Sequence, residues 1–271
     1  MWLTARCRLS YSKALVYSLK NGARFVVHLK DLNSHDIYIK GNYEDLELQW
    51  CQQWLQAGDS FVDCGANIGY YSACLAQLKD LSKVVAVEGN RTCYKRCRKT
   101  FQLLNLDHVF LLHAILHSDS NLSLCIPDMP GQEGLQHIST ASYPGHSCQT
   151  LTLDLVVEQQ EIKPSLVKVD CEGAETEILK GASNLLENIR PAWLVEINDQ
   201  ALARSGTSRS EIMDIFRKAD YDLFHISSAF ANFPPGLEIS NSFESWSFNM
   251  AAISRGKQNS MRWVNSLTSI K

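Results

Sequence analysis

No stretch of this 271-residue chain approaches the roughly 18 consecutive apolar residues of a membrane-spanning helix, so no membrane span is expected. No Cys-x-x-Cys pair occurs either. The nine cysteines are odd in number and scattered, which argues against both a disulfide framework and a zinc site. Cys93 and Cys97 lie one helical turn apart, but Tyr94 and Phe101 share that spacing, so core packing accounts for them. A reducing, cytoplasmic location is the resulting expectation. Acid is missing from the first 30 residues, which hold Arg6, Arg8, Lys13, Lys20, Arg24 and Lys30; Asp31 is the first carboxylate. An acid-free start can signal organelle import. The segment Ala23–His28 nevertheless reads as a strand, which a cleaved leader would not need, so a basic N-terminal cap on an acidic body is the simpler reading. Six of the 26 basic groups sit in that cap, leaving 20 against 29 acidic residues. With a pI near 6.2, nucleic-acid binding by bulk charge is not expected.

The dinucleotide signature Gly-x-Gly-x-x-Gly is also absent. In its place stands Phe61-Val-Asp-Cys-Gly-Ala-Asn-Ile-Gly-Tyr-Tyr71, followed by Val84-Val-Ala-Val-Glu88. An apolar run enters an acidic, glycine-punctuated turn. Cys74, Leu75 and Leu78 then recur at helical spacing, and a second apolar run ends in a carboxylate. The pattern is strand, tight turn, helix, strand. Gly65 and Gly69 let the backbone turn sharply and approach a ligand. Glu88, 19 residues after Gly69, is placed to accept hydrogen bonds from ribose hydroxyls. Asp63 sets a negative charge where a dinucleotide would lay its pyrophosphate. At ~4 Å, like charges repel by roughly 4 kcal/mol at the effective dielectric of a protein surface. A nucleoside bearing an ammonium and a sulfonium suits such a turn, which points to S-adenosyl-L-methionine and a methyltransferase. A turn in which the Asp only bonds its own loop is the plain alternative.

Further along, Leu46, Trp50 and Trp54 share a helical face that stops at Gly58, and Val109–His113 reads as a third core strand. Asp36–Lys40 alternates in polarity and reads as a strand. Residues 115–150 hold one strand, Leu122–Ile126, within a passage rich in proline, glycine and serine; 127–149 is expected to be a mobile lid. Pro164–Asp170 returns to the sheet and precedes a helix with Ile178, Ala182 and Leu185 on one face. Ala192–Glu196 is a fifth strand, and Ser208-x-x-Glu211 caps another helix. Tyr221–His225 and Asn249–Ile253 complete the strands. Alternating strands and helices require a mostly parallel sheet covered on both faces, with its ligand crevice at the strands' carboxyl ends.

Asp170-Cys-Glu-Gly-Ala-Glu175 puts three carboxylates at one such end. A hydroxyl acceptor needs a group that takes its proton, and Asp170 or Glu172 could supply it. Acids also favour helix starts by ~0.3–1 kcal/mol, which alone would explain Glu172 and Glu175. Lys168, two residues before Asp170, points to the same sheet face and would favour the ionised carboxylate on contact.

Gly41-x-Tyr43-Glu44, Val62-Asp-x-Gly-Ala-Asn-Ile-Gly-Tyr-Tyr-Ser72, Val87-Glu88, Leu151-x-Leu153-Asp154, Val167-Lys-Val-Asp-x-Glu-Gly-Ala-Glu175 and Glu196 together resemble the FkbM family of S-adenosylmethionine-dependent O-methyltransferases. Cys171 stands where the family usually has a branched aliphatic residue, a change conservative in volume. The resemblance spans about residues 40–255. It implies an α/β, Rossmann-like, seven-stranded class I methyltransferase sheet with helices on both faces and a small N-terminal cap. The expected organisation is a cap over 1–40, the methyltransferase domain over 41–255 and a tail over 256–271. Cofactor contacts are implied at Asp63, Gly65, Asn67 and Glu88, with Gly69, Ala114 and Glu44 completing the expected set. The acceptor implied is a hydroxyl-bearing small molecule or glycan; a homodimer is compatible with the sequence. Rival readings are an NAD-dependent oxidoreductase, a non-catalytic nucleoside-binding partner subunit and an N-methyltransferase. His113 and His137 are reserve bases. No metal-ligand spacing stands out, although Asp170, Glu196 and Asn198 could converge from adjacent strand ends.

Overall fold

A computed structural model describes residues 14–28, 32–127, 145–226 and 246–255. Seven strands form one sheet: β3 (Ser60–Cys64), β4 (Lys83–Val87), β5 (Val109–Leu112), β9 (Leu166–Val169), β10 (Ala192–Asn198), β11 (Tyr221–His225) and β12 (Ser247–Ser254). Their spatial order is β11-β12-β10-β9-β3-β4-β5. From β10 to β5 all neighbours are parallel; β12 slots in antiparallel between β10 and β11. The strands are short and almost wholly apolar, as expected of strands covered on both faces.

Alternation along each strand divides the interior in two. Phe61, Val84, Ala86, Leu166 and Leu194 face one hydrophobic cluster, and Val62, Val85, Val87, Val167 and Val195 face the other. The first cluster is closed by the helices α2 (Asp45–Trp54), α3 (Tyr70–Leu78) and α4 (Arg91–Leu104), and by the hairpin of β1 (Ala14–Ser18) with β2 (Arg24–His28). The second is closed by α5 (Leu153–Gln159), α6 (Glu175–Lys180) and α8 (Arg209–Lys218). Phe25 packs edge-on against Tyr70, with ring centroids 5.4 Å apart, so the N-terminal hairpin shares the core of the main sheet.

Three sequence expectations change. Asp36–Lys40 belongs to the helix α1 (Leu32–Lys40), not to a strand. Only Ile37 of its Ile-Tyr-Ile run is buried, and Lys40 reaches back to Asp36 at 2.8 Å, an i,i+4 pair that exists only in a helix. The single helix expected across Ile178–Leu185 is broken: α6 stops at Lys180, and a π-helical stretch, Leu185–Ile189, follows. Within the expected lid, 145–149 belongs to β8 (Gly145–Leu151), which pairs with β7 (Ser123–Pro127) and with β6 (Ile115–Leu116) in a small separate sheet. Residues 128–144 of that expectation, His137 included, lie outside the described residues.

Candidate active site

Strand ends β3, β4, β9 and β10 and the start of β12 surround one cavity of about 300 Å³. Of the residues singled out from sequence, Glu44, Gly65, Asn67, Glu88, Ala114, Asp170 and Glu172 line it. Asp63 and Gly69 do not. Asp63 is buried in the first core cluster's face of the sheet, where one carboxylate oxygen accepts hydrogen bonds from Ser72 N–H (3.2 Å) and Ser72 Oγ–H (2.6 Å), fixing the start of α3. Gly69, at φ +81°, sits under α4; a Cβ there would meet Cys97 Sγ at 2.7 Å. Both therefore shape the turn from behind the cavity wall. Gly65 is the glycine at the wall, and a Cβ on it would lie 2.0 Å from the Asp170 carbonyl oxygen. The two long motifs, more than 100 residues apart in sequence, touch at that point.

Near β4 the cavity is built around Glu88. One Glu88 oxygen accepts from Asn67 N–H at 2.7 Å and the other from Asn90 N–H at 2.6 Å. Burial pushes the Glu88 carboxyl up to about 7, against those two amides. Each oxygen keeps a further lone pair for a ligand hydroxyl. Ile115, Ile126 and Ala114 supply an apolar border beside Gly89. His113 and His146 each hold Nε2 about 3 Å from the Gly89 carbonyl, outside the lining.

Near β9 the cavity is acidic. Lys168, 4% exposed, lies 2.7 Å from Asp170 and 4.7 Å above the Tyr71 ring. Register pairs Lys168 with Asp63 on the neighbouring strand. Burial pushes the Lys168 ammonium down, but Asp170, Asp63 and Glu44 together hold it well above the ordinary lysine value. Burial likewise pushes Asp170 up, and Lys168 with a hydrogen bond from Glu196 more than reverses this, leaving Asp170 ionised. The Asp170 charge, then burial, pushes Glu196 up to about 10, so Glu196 carries the proton of the pair. Glu172, raised to about 7 by burial and by Asp170, faces the cavity. Glu175 instead turns back to accept from Cys171 N–H and Gly173 N–H, and pins the turn. Glu44 accepts from the Tyr71 hydroxyl at 2.7 Å.

Asp170, Glu196 and Asn198 do converge on this cavity. Among the described residues, however, no group of His, Cys, Asp and Glu side chains is arranged to hold a metal ion. Three of the wall residues, Glu44 (φ 46°), Asn67 (φ 52°) and Glu172 (φ 51°), are held in the left-handed region, which costs of order 1–3 kcal/mol each. Sequence reasoning did not find this, nor the lining by Trp246 and Ser247, because both depend on how distant strands meet. The only sequence signals are Gly173 directly after Glu172 and the glycines two residues either side of Asn67, Gly65 and Gly69.

The sheet order with β12 inserted antiparallel, and a nucleoside-sized cavity at the parallel strands' carboxyl ends, define a class I methyltransferase fold. The chain belongs to the FkbM methyltransferase domain family, whose model matches residues 63–223. The cofactor of that class is S-adenosyl-L-methionine, and the cavity fits it. The buried Asn67 Oδ1 at its wall has no partner among the described residues, and the Glu88 carboxylate oxygens, each holding one backbone amide, keep lone pairs for ligand hydroxyls. The hexuronic acid methyltransferase AglP of Haloferax volcanii is 31% identical over 132 residues, 48% of this chain and 53% of that protein. The chain thus matches about half the length of this curated relative. Among solved structures, the FkbM methyltransferase of Methylobacillus flagellatus KT superposes with a TM-score of 0.48 at 15% identity, over 73% of this chain and 44% of that one. The TYW2 protein of M. jannaschii, solved with AdoMet, gives a TM-score of 0.44 at 12% identity, over 88% and 84%. Among the described residues, no helix is long and apolar enough to cross a membrane.

Proposed function

We propose that the protein transfers a methyl group from S-adenosyl-L-methionine to a hydroxyl oxygen of a sugar, glycan or related small molecule. One observation carries the reading: a single cavity joins a ribose-type carboxylate, Glu88, to an ionised carboxylate, Asp170, held by a buried lysine. In this reading Glu88 binds the ribose hydroxyls, the turn of Gly65 and Asn67 lies against the amino-acid end, and Glu44 closes that side. Ala114, with Ile115 and Ile126, would supply the apolar contact for the base. When bound, the cofactor supplies an electrophilic methyl group. The relative's name points to a sugar acceptor, and an acceptor rich in hydroxyls suits a wall rich in carboxylates.

Asp170 would accept the hydroxyl's hydrogen bond and take its proton as the methyl carbon passes from the sulfonium sulfur to the oxygen, leaving S-adenosylhomocysteine. Lys168 keeps Asp170 charged before that moment, and Glu196, already protonated, does not compete for the same proton. Holding the reactants in line accounts for up to ~7–11 kcal/mol of the barrier, and a positioned base for roughly 10²–10⁴-fold. Glu172 faces the same volume and is the second candidate base.

Two variants test the reading. Glu88→Ala removes ribose hydrogen bonds to a charged acceptor, each worth ~1.5–3 kcal/mol, so calorimetry should show at least about tenfold weaker S-adenosylhomocysteine binding. Asp170→Asn should keep that binding and lose at least about a hundredfold in turnover. Normal turnover of Asp170→Asn at saturating acceptor would reduce Asp170 to a structural residue.

A further inference from the structure

Trp246 differs from the other described tryptophans. Trp50, Trp54 and Trp193 are at most 2% exposed, whereas Trp246 is 56% exposed and lines the cavity. Its backbone is fixed: the Trp246 carbonyl accepts from Asp199 N–H at 2.9 Å, just before β12 begins. Trp246 and Ser247 thus line the same cavity as Asn198, Glu172 and Glu196, at its β10–β12 end.

None of the cations near this end lines the cavity. Lys168 is buried against Asp170. Arg209 is paired with Asp199 and lies over the Phe248 ring. Arg204, on the exposed face of α7 (Asp199–Arg204), acts on Glu172 without lining the cavity. Among the described residues no lysine or arginine lines the cavity at all. At the described wall, a carboxylate on the acceptor would face Asp170 and, above about pH 7, an ionised Glu172, with no lysine or arginine in the lining. Hydroxyl groups would meet acceptors that they can satisfy, with the Asn198 amide and Ser247 hydroxyl able to donate in return. An exposed indole face offers a stacking surface for the apolar C–H face of a ring.

We propose that the acceptor is an uncharged polyhydroxylated ring stacked on Trp246, and that the carboxyl-lined end of the cavity excludes a ring bearing a carboxylate. This rests on the methyl-transfer reading and adds the charge and shape of the substrate. It runs opposite to the acidic sugar in the name of the Haloferax volcanii protein.

The test uses the full chain saturated with S-adenosylhomocysteine, titrated with methyl α-D-glucopyranoside and, separately, with the corresponding glucopyranosiduronic acid. Binding is read by calorimetry and by tryptophan emission. The neutral glycoside should bind and perturb the emission. The acid should bind at least tenfold more weakly, with the gap narrowing at high salt as charges are screened. Trp246→Ala should weaken the neutral glycoside at least tenfold, and Trp246→Phe should restore most of the loss, both with unchanged S-adenosylhomocysteine affinity. Equal or tighter binding of the acid, no binding of either glycoside, or an unaffected Trp246→Ala variant each overturns the inference. Absence of S-adenosylhomocysteine binding by the wild type overturns the methyl-transfer reading itself, and is seen before any sugar is added.

Discussion

Lys168 is the one basic side chain buried among the described residues, and it faces Asp170, Asp63 and Glu44 together. Removing one partner from a buried ionic group is strongly destabilising, typically by 3–5 kcal/mol, because charge is left uncompensated. Lys168→Met should therefore lower stability by about that amount in urea unfolding. It should also move the pH–rate profile. Without the ammonium, burial dominates and the Asp170 carboxyl rises, so its basic form is populated only at higher pH and the acidic limb shifts upward. A purely structural lysine would lower stability and leave that limb in place. The pair was legible from sequence, since residues two apart on a strand share a face. The contact of Gly65 with the Asp170 carbonyl was not, because it needs the parallel register of β3 against β9.

At the level of the element, helix α4 shows what local rules convey. Asn90 accepts from Thr92 N–H at 2.8 Å and Cys93 N–H at 3.0 Å, and Cys93, Cys97, Phe101 and Leu104 are buried along one face. Asn90→Ala should cost ~1 kcal/mol, seen as a lower urea midpoint with an unchanged slope. An unmoved midpoint would mean that the Asn90 backbone amide on Glu88, not the cap, fixes this corner. Helix α1 shows where local rules mislead. Asp-Ile-Tyr-Ile-Lys fits a strand by alternation, yet Tyr38 and Ile39 are 42% and 65% exposed. The Asp36–Lys40 spacing was the better signal. The Ser208–Glu211 box is half formed: Ser208 Oγ accepts from Glu211 N–H, while the Glu211 carboxylate turns to the Thr207 hydroxyl.

Across the whole molecule, the buried carboxyls tie stability to ligand and pH. Glu88 and Glu172 titrate near 7 in the fold and near 4.5 when exposed. Between those values the folded chain holds more protons than the unfolded one, so ligand-free stability should fall as pH rises from about 4.5 to 7. Ionised Glu88 is the better acceptor for ribose hydroxyls, so S-adenosylhomocysteine should bind more tightly above pH 7. Its thermal shift should consequently be larger at pH 8 than at pH 6, and equal shifts would remove Glu88 from the ribose. The sheet and the Glu88 side of the cavity were legible because each strand–turn–helix unit is contiguous in sequence. On the β10 side, Asp170, Glu196 and Asn198 were read as converging strand ends, whereas Trp246 and Ser247 were not, since they reach the wall only through the antiparallel ladder of β10 with β12. That ladder also sets an order of assembly during synthesis. β10 leaves the ribosome with one side unpaired, and β11, made next, has no partner until β12 arrives to fill the gap between them. A nascent chain halted before Trp246 would expose the edge of β10 and carry an idle β11, an invitation to pair with another chain. Of the described cavity wall, Trp246 and Ser247 are therefore the last part to be made, and a message ended before them would yield a sticky half-sheet with that wall incomplete.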